Sequence, residues 1–236
     1  MRAEVRHQLK QDRFAVATAE TVSWAVEHRK VLTTAGIIAA VVVAVGLAGY
    51  YYLQQQNQAA SLAMANAFRT YDAPIVPAGT PPQPGIMMFN SAQERAKAAQ
   101  PLFQSVVQNY PHTHNGDIAR YFAALTDLDL GNSGAAEKQL QDLSRAHNQD
   151  LASLSKFALA NQYRNTGHDT QAIELYQQLV AHPTTSVSKV QAQLALAEAY
   201  TAKKPDEARK LYQQIQKDNP TSPAAEMAAA RLDALK

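Results

Sequence analysis

The chain has 236 residues, of which 46% are hydrophobic, with 22 basic and 20 acidic side chains and no cysteine. The missing cysteine excludes thiolate catalysis, Cys-ligated zinc and disulfides together. A net charge of +2, with both signs dispersed along the chain, gives no basic patch of the kind that displaces counterions from a nucleic acid.

Residues 1–30 form a helix-compatible leader in which Val5, Leu9, Phe14, Val22 and Val26 are spaced among charges. It holds six basic residues (Arg2, Arg6, Lys10, Arg13, Arg29, Lys30) and four acidic ones (Glu4, Asp12, Glu20, Glu27). An excess of two is too small for a polybasic lipid-binding segment, so the leader is expected to act as a topology determinant lying along the membrane surface. Beyond it 16 residues of each sign remain, and the rest of the chain is neutral.

Residues 31–53, VLTTAGIIAAVVVAVGLAGYYYL, carry no charge over 23 positions. At 1.5 Å per residue such a helix is about 35 Å long, enough to cross a hydrocarbon core with some tilt. Lys10, Arg13, Arg29 and Lys30 precede it and only Arg69 follows within a comparable distance, which predicts a cytoplasmic N-terminus and an exported C-terminal part. Trp24 before the run and Tyr50, Tyr51 and Tyr52 at its end fall where amphipathic rings settle at the two interfaces. Gly46-Leu47-Ala48 has the small-x-small form of a signal-peptidase site, but the apolar run is too long for a signal-peptide core, so an uncleaved anchor is expected. Thr33 and Thr34 as internal polar groups offer no solute path. Gly36, Ala40, Ala44 and Ala48 recur every four residues and could serve helix packing in the membrane.

Residues 54–236 read as helical, because Ala, Leu, Gln, Lys and Glu dominate and apolar residues recur at three and four. Asn57 to Tyr71 reads as a first helix continuing the span. Residues 72–91 are rich in Pro and Gly and cannot be helical throughout. They are expected to form an inserted loop whose apolar end, Ile86, Met87, Met88 and Phe89, packs back on the domain or, as the alternative, serves as an apolar contact.

An internal repeat organises the remainder. Ala136, Ala172 and Ala208 are spaced by 36 residues, as are Leu140, Tyr176, Tyr212 and Leu143, Leu179, Ile215, and a further copy at Ala99, Phe103 and Val106 lies 37 upstream. Each copy follows another apolar-periodic segment and a turn: Asp117 to Leu130 before Gly131, Leu151 to Tyr163 before Gly167, and Val187 to Tyr200 before Pro205. Helix, turn, helix with a small residue, an aromatic four later and a closing Pro resembles the tetratricopeptide pattern, carried by Gly167, Ala172, Tyr176 and Leu179 and by Ala208, Tyr212, Ile215 and Pro220. The early Trp and the Leu-Gly pair are absent. The expected fold is therefore all-α, one transmembrane helix followed by a solenoid of degenerate tetratricopeptide-like repeats, with Pro223 to Lys236 as its capping helix.

No phosphate loop, nucleophile elbow or HExxH pair occurs, so neither a catalytic site nor a cofactor is expected. His112, His114 and Asp117 place three metal-capable side chains within six residues. They fall in a turn where polar residues belong, and no metal site is assigned to them. The working surface of such repeats is the face of the first helices, here Ile118, Tyr121, Leu125 and Leu128, then Leu154, Phe157, Asn161 and Arg164. Only Asn161 and Arg164 could bind a carboxylate, so an apolar or amphipathic segment of another polypeptide is the expected partner. Leu128 and Leu154 are alternatively buried between repeats.

A short leader, one span (Glu27 to Leu53) and repeats from about Ala92 onward together resemble the ancillary SecYEG translocon subunit family, the YfgM-like proteins of bacterial inner membranes. The resemblance implies a protein-binding scaffold of the inner membrane, its repeat domain in the periplasm, associated with the Sec channel, periplasmic chaperones and emerging envelope proteins. The Pro-rich insertion departs from that family. The alternative is a repeat component of another envelope machine, for outer-membrane assembly or cell-division coordination. A homo-oligomer through Gly36 to Ala48 is compatible with either.

Overall fold

The computed structural model describes residues 24, 26, 28–81 and 83–235. The expected leader, apart from Trp24, Val26 and residues 28–30, lies outside the described residues. Nine helices account for the described secondary structure: α1 (Arg29–Tyr71), α2 (Ala92–Asn109), α3 (His114–Asp129), α4 (Ser133–Leu143), α5 (Gln149–Asn165), α6 (Asp169–Ala181), α7 (Lys189–Tyr200), α8 (Pro205–Asp218) and α9 (Pro223–Ala234). The described residues contain no strand, and the chain divides into two compact units between Gln55 and Gln56.

In the first unit, α1 is the one described helix long and apolar enough to cross a membrane, and none of its apolar window is buried. The two threonines near the start of the charge-free run are satisfied within the helix, Thr33 and Thr34 each donating a hydroxyl to the carbonyl of Lys30 at 3.0 and 2.8 Å. That pairing removes the cost of an unpartnered hydroxyl in hydrocarbon.

The second unit is built of helix pairs whose starts follow capping chemistry. Ser91, Thr113, Ser188 and Ser222 each accept the N–H three residues ahead, and Asn148 accepts from Asp150 and Leu151. Pro205 and Pro223 open α8 and α9, where a missing N–H costs nothing. Gly131 and Gly167 close α3 and α5 with positive φ, conformations a side chain would resist.

The 36-residue register holds throughout the second helices. Ala99, Ala136, Ala172 and Ala208 are fully buried, as are Phe103, Leu140, Tyr176 and Tyr212, and Val106, Leu143, Leu179 and Ile215 are nearly so. The small residue lets the paired helices approach and the larger two fill the space between them. At the N-terminal end, Phe68 and Tyr71 of α1 pack edge-on against Phe103 and Phe122 at centroid distances of 4.7–5.8 Å.

The first helices repeat with a less regular step. Ala119, Ser155, Ala192 and Ala225, at intervals of 36, 37 and 33 residues, are all buried. Two equivalent hydrogen bonds fix the register: Gln141 Nε2 donates to the Tyr163 hydroxyl at 3.1 Å, and Gln177 Nε2 to the Tyr200 hydroxyl at 2.9 Å.

Residues 72–91 form a loop whose neck is a parallel bridge between Ile75 and Phe89. Val76 N donates to Phe89 O at 2.8 Å and Phe89 N to Pro74 O at 3.0 Å. The expected packing of its apolar end is corrected here: Met88 and Phe89 are half-buried, whereas Ile86 and Met87 remain 51% and 48% exposed. The bridge pins the chain at Phe89, and Gly85 turns it at φ +78°, so Ile86 and Met87 stay outside the packed surface.

The connection from α6 to α7 is tied to α5. Asp150 Oδ1 accepts the backbone N–H of Ser186 at 2.9 Å, and the Ser153 and Thr184 hydroxyls pair at 2.7 Å. Chiefly the Ser186 N–H, against some desolvation, holds the Asp150 carboxyl below its ordinary pKa. A depressed carboxylate pKa adds stability that is present above the unfolded value and lost as pH falls through the folded one, so below about pH 4 this clamp loosens. The protection factor of the Ser186 amide, its exchange rate relative to an unprotected amide at the same pH, should fall on acidification in the wild type, and the Asp150→Asn variant should show low protection at neutral pH with no such step.

Candidate binding face of the first helices

The register aligns four positions on each first helix. Ile118, Leu154, Gln191 and Ala224 correspond, as do Tyr121, Phe157, Leu194 and Met227; Leu125, Asn161, Glu198 and Arg231; and Leu128, Arg164 and Thr201. Side chains at i, i+3, i+7 and i+10 of a helix share one face, so these form rows running from repeat to repeat.

All eight positions expected from sequence on α3 and α5 are half-buried. Ile118 packs on the cluster of Met64, Phe103 and Ala119; Tyr121, Leu125 and Leu128 pack on Ala124, Leu140, Ala158 and Leu159; and Leu154 and Phe157 pack on the cluster around Ala160 and Tyr176. Leu128 and Leu154 thus contribute to packing between repeats as well as to the surface. Burial foremost pushes the Tyr121 hydroxyl up to about pKa 12, so it is neutral at any physiological pH.

Asn161 and Arg164 have partners within the domain. The Tyr176 hydroxyl donates to Asn161 Oδ1 at 2.6 Å, and burial pushes Tyr176 up to about pKa 12. Arg164 Nη1 donates to Glu198 Oε2 at 2.8 Å, and Arg231 Nη2 to Glu198 Oε1 at 3.1 Å. Burial works against the Arg164 charge, but the Glu198 hydrogen bond leaves its pKa raised. Glu198 therefore bridges three successive first helices, α5, α7 and α9.

The face is divided, apolar over α3 and the first turns of α5, and charged over the ends of α5, α7 and α9. Leu194, Glu198, Met227 and Arg231 belong to it as much as the eight residues above. Their signal was the same register carried two repeats further, with the one-residue-shorter spacing between Ala192 and Ala208 allowed for.

The other expected sites are placed separately. Gly36, Ala40, Ala44 and Ala48 lie exposed on α1, and a Cβ on Gly36 would meet nothing within 4 Å. His112 sits in the α2–α3 turn and His114 opens α3, and Asp117 pairs loosely with Arg120 at 3.7 Å. Among the described residues no group of three or more His, Asp or Glu gathers as a metal site. A shallow cleft of about 710 Å³ opens beside the loop, lined by Arg69, Asp72, Ala73, Pro74, Gly85, Ile86 and Met87, away from the first-helix rows.

A family model described as a tetratricopeptide repeat-like domain matches residues 23–236. No curated protein and no solved structure matches the chain.

Proposed function

The chain belongs to the tetratricopeptide repeat-like family, and from that premise we propose that it is a membrane-anchored scaffold whose first-helix face binds a segment of another polypeptide. The single observation that carries the reading is the row Tyr121, Phe157, Leu194 and Met227, one large apolar side chain per repeat. None of the four is fully buried, and Met227 is 51% exposed. A row of apolar side chains at repeat spacing fits the alternate apolar residues of one bound segment.

The anchor is the charge-free run of α1, with residues 1–30 cytoplasmic and residues 54–236 exported to the bacterial periplasm. The resemblance in architecture to ancillary SecYEG subunits makes the Sec translocon, periplasmic chaperones and emerging envelope proteins the partners of choice. Absence of a reactive constellation in the sequence supports binding over catalysis.

The test places a photo-crosslinking amino acid at Leu194 or Met227 of the full chain in living cells and identifies the adducts. Sec channel subunits, chaperones or nascent envelope proteins are expected. Adducts confined to outer-membrane assembly or division proteins would move the protein to that machine, and absence of polypeptide adducts would sink the scaffold reading. Met227→Asp, which sets a charge in the apolar row without touching the core, should reduce adduct yield at Leu194 about tenfold with unchanged thermal unfolding.

A further inference from the structure

One repeat holds a buried hydroxyl that finds no hydrogen-bond partner, whereas its equivalent in the preceding repeat has one. Tyr176 and Tyr212 are equivalent residues of α6 and α8, and each is fully buried beneath a first helix. The Tyr176 hydroxyl donates to Asn161. The position equivalent to Asn161 on the next first helix is Glu198, an acceptor at least as good. The Tyr212 hydroxyl nevertheless finds no hydrogen-bond partner, while the two Glu198 oxygens are turned to Arg164 and Arg231. Tyr212 is one repeat on from Tyr176, and Glu198 one repeat on from the Asn161 that Tyr176 reaches, so the register sets the Tyr212 hydroxyl beside this cluster. A buried, unpaired hydroxyl is uncommon in folded proteins and asks for an explanation.

Resting on the reading of this face as a polypeptide-binding surface, we propose that Arg164 and Arg231 form the receptor for one acidic side chain of the bound segment, with Glu198 leaving them for the Tyr212 hydroxyl. In the unbound chain Glu198 fills the receptor and shows that one carboxylate spans both guanidinium groups. When a second carboxylate arrives, like charges cannot share that space, and Glu198 rotates inward to accept from Tyr212 as Asn161 does from Tyr176. The displaced charge thus gains the hydrogen bond that the buried hydroxyl lacks. Two cations against one anion leave a surplus of one positive charge, which complements a single acidic group.

The depth of the site selects a side chain over a chain terminus. Glu198 and Arg164 are only 30% and 33% exposed, so the replacing carboxylate must arrive on a flexible stem. Arg231, at 56%, leaves the open side by which it enters. Each guanidinium carries five N–H donors in a planar fork, so both retain free donors for an incoming oxygen pair while Glu198 departs.

The experiment uses the full chain in detergent micelles and short dye-labelled peptides of Leu, Ala and Ser. One peptide carries a Glu and is blocked at both ends, a second has Gln in its place, and a third is the Gln peptide with a free terminal carboxylate. The Glu peptide should bind about tenfold more tightly than the Gln peptide, the size of a charge-assisted hydrogen bond pair. Arg164→Gln and Arg231→Gln, both on half-exposed side chains, should each erase that difference. Glu198→Gln should strengthen binding of the Glu peptide, and Tyr212→Phe should weaken it while leaving the Gln peptide unaffected. Glu and Gln peptides that bind alike, yet both depend on Met227, would leave the binding face standing and overturn this inference. A gain from the free terminus instead of the Glu side chain would overturn it too, as would weaker binding to Glu198→Gln. Failure of every peptide to bind counts against the binding face itself and removes the inference with it.

Discussion

Asp127→Ala is expected to lower the unfolding free energy of the repeat domain by about 3 kcal/mol, the scale of a buried charged acceptor whose donors are all left behind. Asp127 is 5% exposed, and its carboxylate collects three carboxamides. Gln100 Nε2 and Asn132 Nδ2 donate to Oδ1 at 2.6 and 3.1 Å, and Gln139 Nε2 donates to Oδ2 at 2.8 Å. Those donors come from α2, from the α3–α4 turn and from α4, so a single side chain ties three consecutive elements. Removing it takes the acceptor from the half-buried Gln100 and Gln139 amides and from exposed Asn132, and leaves a cavity where the buried carboxylate stood. Asp127→Asn keeps the volume but turns one oxygen into a donor facing a donor, and should cost about 1–2 kcal/mol. Exposed Asp142 supplies the control, since its replacement by Ala should stay within about 0.5 kcal/mol. Chemical denaturation of the three variants checks the order, and equal midpoints for Asp127→Ala and Asp142→Ala would remove the argument.

That node was not legible in the sequence, for a physical reason. Gln100 lies 27 residues from Asp127, and nothing in the spacing of polar residues marks which amide will meet which carboxylate. The second-helix register was legible, because a small residue, a bulky one four later and an aliphatic three beyond are demanded by the same close packing in every copy. The first-helix register was readable over α3 and α5 and then obscured. Ser155 stands 17 residues before Ala172 and Ala192 only 16 before Ala208, so the 36-residue step of the second helices becomes 37 in the first. The residues at equivalent positions also change chemistry, from Leu125 through Asn161 and Glu198 to Arg231. A pattern search keyed to apolar periodicity passes over such a row, although a backbone register finds it. The face therefore looked apolar although Arg164, Glu198 and Arg231 set three charges in it.

The turn that looked like a metal motif in sequence has a steric role, which gives the second large effect. Gly116→Ala should destabilise the domain by about 2 kcal/mol: roughly 3 kcal/mol for forcing backbone apart, less about 1 kcal/mol regained in helix propensity. A Cβ on Gly116 would run into the carbonyl oxygen of Tyr110, and would stand 3.1 Å from its carbonyl carbon and 3.3 Å from Thr113 Oγ1. None of these can yield cheaply. The Tyr110 carbonyl accepts from Thr113 Oγ1 at 2.9 Å, and that same oxygen caps α3 by accepting from Gly116 N at 3.0 Å. Relief requires opening the turn through Pro111 and His112, and with it the angle at which α3 meets α2. Phe122 would then lose its stacking on Phe103, now at 5.4 Å, and Tyr121 its place at the head of the apolar row. Gly134→Ala offers the opposite case on α4, where an added Cβ meets nothing within 4 Å. There the propensity gain stands alone and should raise stability by about 0.5–1 kcal/mol. Thermal unfolding of the two variants should therefore shift in opposite directions, and a shift of the same sign in both would show that the α2–α3 turn is not the close approach argued here.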